Sequence, residues 1–205
     1  LKSLKILKSY HPSLKIKYFN CNTNVYDWKI PSEWNVKDAY VKDKYNKKII
    51  NFKDNNLHLV SYSQKMNRKI TKKELLKNLY SNPKLNNAIP YVTSYYKKRW
   101  GFSVSQNQLK LIKKNYGKKE KFKITIDSNF KKKGKMHYGE IFIPGKEKKE
   151  ILISANICHP SMANNELSGP AVINGLVKYI KKIKNLKYTY RFVMLPETIG
   201  SISYL

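Results

Sequence analysis

The chain has 205 residues, of which 41% are hydrophobic and 13% aromatic, enough to bury one core or a domain carrying a smaller insert, and not the composition of a disordered chain. The formal net charge of +29 raises nucleic-acid binding, but every one of the 42 basic residues except Arg68, Arg99 and Arg191 is lysine, spread along the chain. Bidentate reading of bases relies on arginine, so no specific nucleic-acid partner is expected, only weak, salt-sensitive attraction to polyanions.

The abundance of Lys, Asn, Ile and Tyr fits A/T-rich codon usage. No run of about 18 apolar residues predicts a membrane span. Cys21 and Cys158 lie far apart without CxxC spacing, which excludes a disulfide framework or zinc knuckle and fits a reducing, cytoplasmic setting. Leu1 in place of Met, and Leu205 in mid-pattern, lead us to expect a fragment.

Leu1, Leu4 and Leu7 read as part of an amphipathic helix. Leu14, Ile16 and Tyr18 alternate with lysines as in a strand, as do Tyr26, Trp28 and Ile30 up to Pro31. From Glu33 to Gly101 the texture changes. Short strands at Ala39–Lys42, Lys48–Phe52 and Leu57–Tyr62 alternate with polar turns. Thr71-Lys72-Lys73-Glu74 is a capping box opening a short helix with Leu75, Leu76 and Leu79 inward, which Asn82-Pro83 ends. The aromatic stretch AIPYVTSYYKKRWGF follows. The spacing predicts a compact, mostly β insert over residues 33–101, between a first segment 1–32 and a continuation 102–205. The aromatics Tyr91, Tyr95, Tyr96, Trp100 and Phe102 read as core more readily than as a sugar platform.

Ser105-Gln106-Asn107-Gln108 is a second capping box; its helix carries Leu109, Leu111 and Ile112 and should stop at Gly117. Phe122, Ile124 and Ile126 alternate, and Tyr138–Ile143 forms another strand. Glu150–Asn156 is a near-continuous apolar strand, as in a sheet covered on both faces. A helix over Ser168–Lys184, an apolar strand over Tyr188–Leu195 and a helix beginning in PETIGSISYL complete an α/β layer. A helical crossover makes the two apolar strands parallel, with their carboxyl ends on one rim. Sites in such sheets lie at that rim.

At one strand end stands ICHPSMANNELSGP, at the other PE. An imidazole, side-chain oxygens and a carboxylate base are the parts of a metal-assisted hydrolase. Structural roles compete: His159 bonded to backbone in a loop, Asn164, Asn165 and Ser168 as helix caps, and Glu197 favouring a helix dipole. Cys158 reads as a core residue. Strand alternation would send His159 to the opposite face, against a Cys–His pair. His11, His58 and His137 are assigned no chemistry.

The stretches VYDWKIPSEWNVKDAYVKD, AIPYVTSYYKKRWGF, ICHPSMANNELSGPAV and LPETIGSISYL together resemble a bacterial family of unknown function. Its zinc-aminopeptidase-like domain is interrupted by a smaller β domain and is related to the dizinc aminopeptidase and carboxypeptidase clan. The resemblance runs along nearly the whole chain. It implies an α/β, three-layer zinc-aminopeptidase-like fold with a mainly parallel sheet and one or two zinc ions. His159 matches the His of the clan's His-x-Asp motif, with Ser161 where the Asp would stand. Asn165 matches the metal-bridging Asp, and either it or Glu166 is expected to add an oxygen or orient the neighbourhood. Glu197 matches the general base, and Thr198 stands where a second Glu would bind metal. The implied function is hydrolysis of an amide, in a peptide or an amino-sugar conjugate, with Glu197 activating a metal-bound water. The alternative is a non-catalytic binding protein of the same fold linked to polysaccharide biosynthesis.

Overall fold

The computed structural model describes residues 1–159 and 163–205. In chain order its elements are α1 (Lys2–Tyr10), β1 (Lys15–Asn20), β2 (Asn24–Val25), β3 (Trp28–Lys29), β4 (Glu33–Lys42), β5 (Lys48–Asn51), β6 (Met66–Thr71), α2 (Lys72–Lys77), β7 (Leu79–Tyr80), β8 (Phe102–Ser103), α3 (Gln106–Asn115), β9 (Lys121–Lys131), β10 (Lys135–Ile143), β11 (Glu150–Asn156), α4 (Ala163–Ile180), β12 (Thr189–Leu195) and α5 (Ile199–Tyr204). They form two compact units, Leu1–Glu33 with Lys132–Leu205, and Trp34–Lys131.

The inserted unit therefore runs to Lys131, beyond the end expected at Gly101. The reason is pairing. Its sheet has the order β5-β4-β9-β6, and β9 joins β6 in an antiparallel register running from Met66↔Ile126 to Thr71↔Lys121. Phe122, Ile124 and Ile126 share a core with Val41, Ile70 and Phe102. Helix α3 closes against it through Ile112, starting from a complete Ser105/Gln108 capping box. Its end differs from expectation: Tyr116 caps in an extended conformation, and Gly117 does not take a positive φ. Trp100 and Phe102 are core, whereas Tyr95 and Tyr96 are exposed.

The other unit is built on a sheet of order β1-β10-β12-β11. Alternation along β12 divides its side chains between two faces. Phe192 and Met194 join Leu4 of α1 and Ile173 and Val177 of α4. Val193 and Leu195 join Tyr138, with Phe19 and Tyr204 of α5 packed against them. Helices thus cover both faces, giving the three-layer α/β arrangement that the resemblance implies.

The sheet is mixed rather than mainly parallel. The β1–β10 and β10–β12 pairs are antiparallel, and β11–β12 is parallel. A parallel pair needs a crossover connection, and α4 supplies one between β11 and β12. Among the described residues, β11 is the outer strand of this sheet, and Leu152 is 51% exposed.

Candidate metal centre at the strand ends

The parallel register of β11 and β12 sets Asn156 beside Leu195. One further bond, from Ile157 N–H to Leu195 O at 2.9 Å, carries the pairing past the strand end. Cys158-His159 and Pro196-Glu197 therefore leave the sheet side by side on the same rim. This is the juxtaposition the sequence predicts, and its cause is the α4 crossover.

His159 Nε2 lies 2.8 Å from Glu197 Oε2. The Glu197 backbone N–H donates to Cys158 Sγ at 3.4 Å. The Cys158 N–H donates to Glu166 Oε2, and its thiol donates to Glu166 Oε1 at 3.6 Å. Ligand atoms of Cys158, His159 and Glu197 all lie within 4.8 Å of one another. Glu166, on the first turn of α4, is buried at 6% exposure; His159 is half-buried, and Cys158 and Glu197 reach the surface. Burial pushes the Cys158 thiol up to about 11, with the Glu166 and Glu197 carboxylates adding to the rise.

Thr198 follows Glu197 with φ 60° and ψ −82°. A β-branched residue in the positive-φ region is strained by clash of its Cβ with the backbone. Strain of this kind, of order 1–3 kcal/mol, gathers at functional sites. Here it turns the chain from the end of β12 into α5 and leaves Glu197 on the rim.

Helix α4 already runs at Ala163, upstream of the expected start at Ser168. Ser168-Gly169-Pro170 has the residues of a helix opening, yet Pro170 lies inside the helix. Ser168 is no cap: its hydroxyl donates back to Asn164 O at 2.5 Å. Asn165 sits exposed on the first turn, and none of the bonds linking Cys158, His159, Glu166 and Glu197 runs to it. Ser161 lies outside the described residues.

Two expectations about Cys158 fail. It is exposed rather than in the core, and it approaches His159 rather than facing away from it. Strand alternation ends at Asn156, so consecutive residues beyond it are free to converge. Glu166, expected beside Asn165 to add an oxygen or orient the neighbourhood, is the buried carboxylate that holds Cys158.

A cavity of about 550 Å³ opens beside the cluster, with Cys158, His159 and Glu166 in its wall. Leu4 and Leu7 of α1, Ile157, and Leu167 and Pro170 of α4 make it largely apolar, and His137 also lines it. The other histidines serve structure. His11 pairs with Asn174 at 2.6 Å, and His58 Nδ1 bonds Ser103 O at 2.7 Å.

Among known proteins, the chain is 43% identical over its full length to a Clostridium acetobutylicum protein named for polysaccharide biosynthesis and an aminopeptidase-like domain, of which it covers 45%. A crystal structure from the same organism, named as a peptidase, superposes with a TM-score of 0.90 at 42% identity, covering all of this chain and 46% of that one. The fold is also that of a Bacillus subtilis zinc aminopeptidase, with a TM-score of 0.59 at 12% identity over 96% of this chain and 55% of that one. A Shewanella amazonensis M28 peptidase precursor matches with a TM-score of 0.56 at 9% identity, over 98% of this chain and 60% of that one. The chain thus spans about half the length of its curated relative. A family described as a domain of unknown function, DUF4910, matches residues 1–205, and the chain belongs to that family.

Proposed function

We propose that this chain carries part of the active site of a zinc-dependent, aminopeptidase-like hydrolase acting on an amide bond in a peptide or amino-sugar conjugate. The observation that carries the reading is the 2.8 Å contact of His159 Nε2 with Glu197 Oε2 across two parallel strand ends. An imidazole, a carboxylate and a thiol within 4.8 Å of one another suit zinc, which favours nitrogen and sulfur donors. When bound, the metal supplies an acidified water and polarises the scissile carbonyl. His159 holds the metal through Nε2, and Asn165 offers an amide oxygen from the first turn of α4. Glu197 accepts the proton of the attacking water at a carboxylate oxygen and delivers it to the leaving nitrogen. The apolar cavity receives a hydrophobic group next to the amide and excludes water from it. We place the protein in the cytoplasm, with a small substrate and no specific nucleic-acid partner.

The test is elemental analysis of the purified protein beside His159→Ala. Stoichiometric zinc that disappears in the variant is expected. Glu197→Gln should lower amide hydrolysis by about 100-fold or more, the usual contribution of a positioned base. A protein that takes up no metal even when supplied with zinc would sink this reading. It would favour the second one, an aminopeptidase-shaped binding protein connected with polysaccharide biosynthesis. That alternative is supported by the neutral, exposed Asn165 and by the relative's name.

A further inference from the structure

We propose that Cys158 is a ligand of the metal, so that the ion at this rim is held by a thiolate beside the His159 imidazole, with Glu197 left free as the base. The proposal rests on reading the rim as a metal site and names a donor that sequence matching passes over. Sulfur of one residue and nitrogen of the next converge with an oxygen from the adjacent strand end, all within 4.8 Å. In a tetrahedral zinc site, bond lengths of about 2.0–2.3 Å set donors roughly 3.3–3.8 Å apart. The donor atoms of Cys158 and His159, no more than 4.8 Å apart, have to close by about 1.5 Å or less to reach that spacing.

The position of the sulfur is built rather than incidental. Cys158 is tied through its N–H to the buried Glu166. Its Sγ accepts the Glu197 N–H at 3.4 Å, so the thiol is held between the two loops that carry His159 and Glu197. Asn165 and Thr198 are neutral, so a thiolate at Cys158 would put a negative charge in direct contact with the divalent ion, beside the carboxylates of Glu166 and Glu197. On binding, the S–H bond breaks, the S–metal bond forms and the proton passes to solvent. Soft sulfur with imidazole selects zinc or cobalt over magnesium or calcium. With the amide oxygen of Asn165, the thiolate and imidazole make three protein donors and leave a fourth position for water, the arrangement of a catalytic rather than a structural site.

Cobalt(II) titration of the metal-free protein tests this without any activity assay, because a thiolate–cobalt bond gives a strong near-ultraviolet charge-transfer band that nitrogen and oxygen ligands do not. The band should appear at stoichiometric cobalt in the wild type and in Cys21→Ser. It should vanish in Cys158→Ser, a substitution of similar shape, with affinity falling about 10–100-fold or more, at least the loss seen when supporting residues of metal sites are changed. Circular dichroism checks that the variant is folded. Cobalt bound without the band, or a band that survives Cys158→Ser, would overturn the ligand assignment and leave the metal site standing. No cobalt binding in the wild type would overturn both.

Discussion

At the scale of single residues, the best-anchored charge in the sheet is Glu140, only 4% exposed. It is paired with Lys17 and with Arg191. Arg191 also reaches Glu150 through Nε at 2.6 Å and Nη2 at 2.8 Å. Burial alone would raise the Glu140 carboxyl, but Lys17 and Arg191 outweigh it and hold the group below its ordinary value of 4.5. A depressed carboxylate contributes stability that is fully present above the ordinary value and is lost as pH falls through the folded-state value. Glu140→Gln leaves Lys17 and Arg191 facing a neutral amide at the buried end. We expect a loss of about 1–2 kcal/mol near neutral pH, because Lys17 is 46% exposed and Arg191 keeps Glu150, so neither cation is left buried and unpaired. Urea unfolding of both proteins measures it. The gap between wild type and variant should narrow on acidification below the ordinary carboxylate value; a gap independent of pH would contradict the assignment. None of this network was legible beforehand, because Lys17, Glu140 and Arg191 meet only through strand register.

Among the elements, α4 decides the most. Its contact with β11 is set by Gly169, where a Cβ would fall 2.8 Å from the Ala155 Cβ. Two short, rigid groups cannot swing away, so the helix itself must move. Gly169→Ala gains about 1 kcal/mol of helix propensity and costs roughly 1–3 kcal/mol in overpacking. We expect a net loss of about 1 kcal/mol, read as a lower Tm, together with weaker metal binding, because Glu166 shares that stretch of helix and holds Cys158. Unchanged metal affinity would separate the packing of α4 from the site. Capping is the part of the element scale most readable in sequence. The Ser105 box forms in full. The Thr71 hydroxyl accepts the Glu74 N–H, while the Glu74 carboxylate is taken by Arg68. The end of α3 at Tyr116 was hidden because chain direction after a helix depends on what the next strand pairs with.

For the whole molecule, the net charge of +29 sits on lysines that the structure leaves largely exposed. Such a surface attracts polyanions by counterion release rather than by recognition. Retention on heparin should fall steeply between low and moderate salt and should not change in His159→Ala. Binding that resists salt, or that depends on His159, would point to a specific anionic partner instead. No helix among the described residues is long and apolar enough to cross a membrane.

The sequence by itself determined the elements and the rim. Apolar periodicity marked β11, α4, β12 and α5 to within a few residues, except for the start of α4, and a helix that crosses back over the sheet joins strands that run parallel. His159 and Glu197 had to end on one edge for that reason. Only the tertiary structure decided where the inserted unit ends and that the sheet is mixed, because strand partners are chosen by contacts distant in sequence. It also brought Cys158 to the rim, where the extended alternation of β11 no longer dictates which way consecutive side chains face.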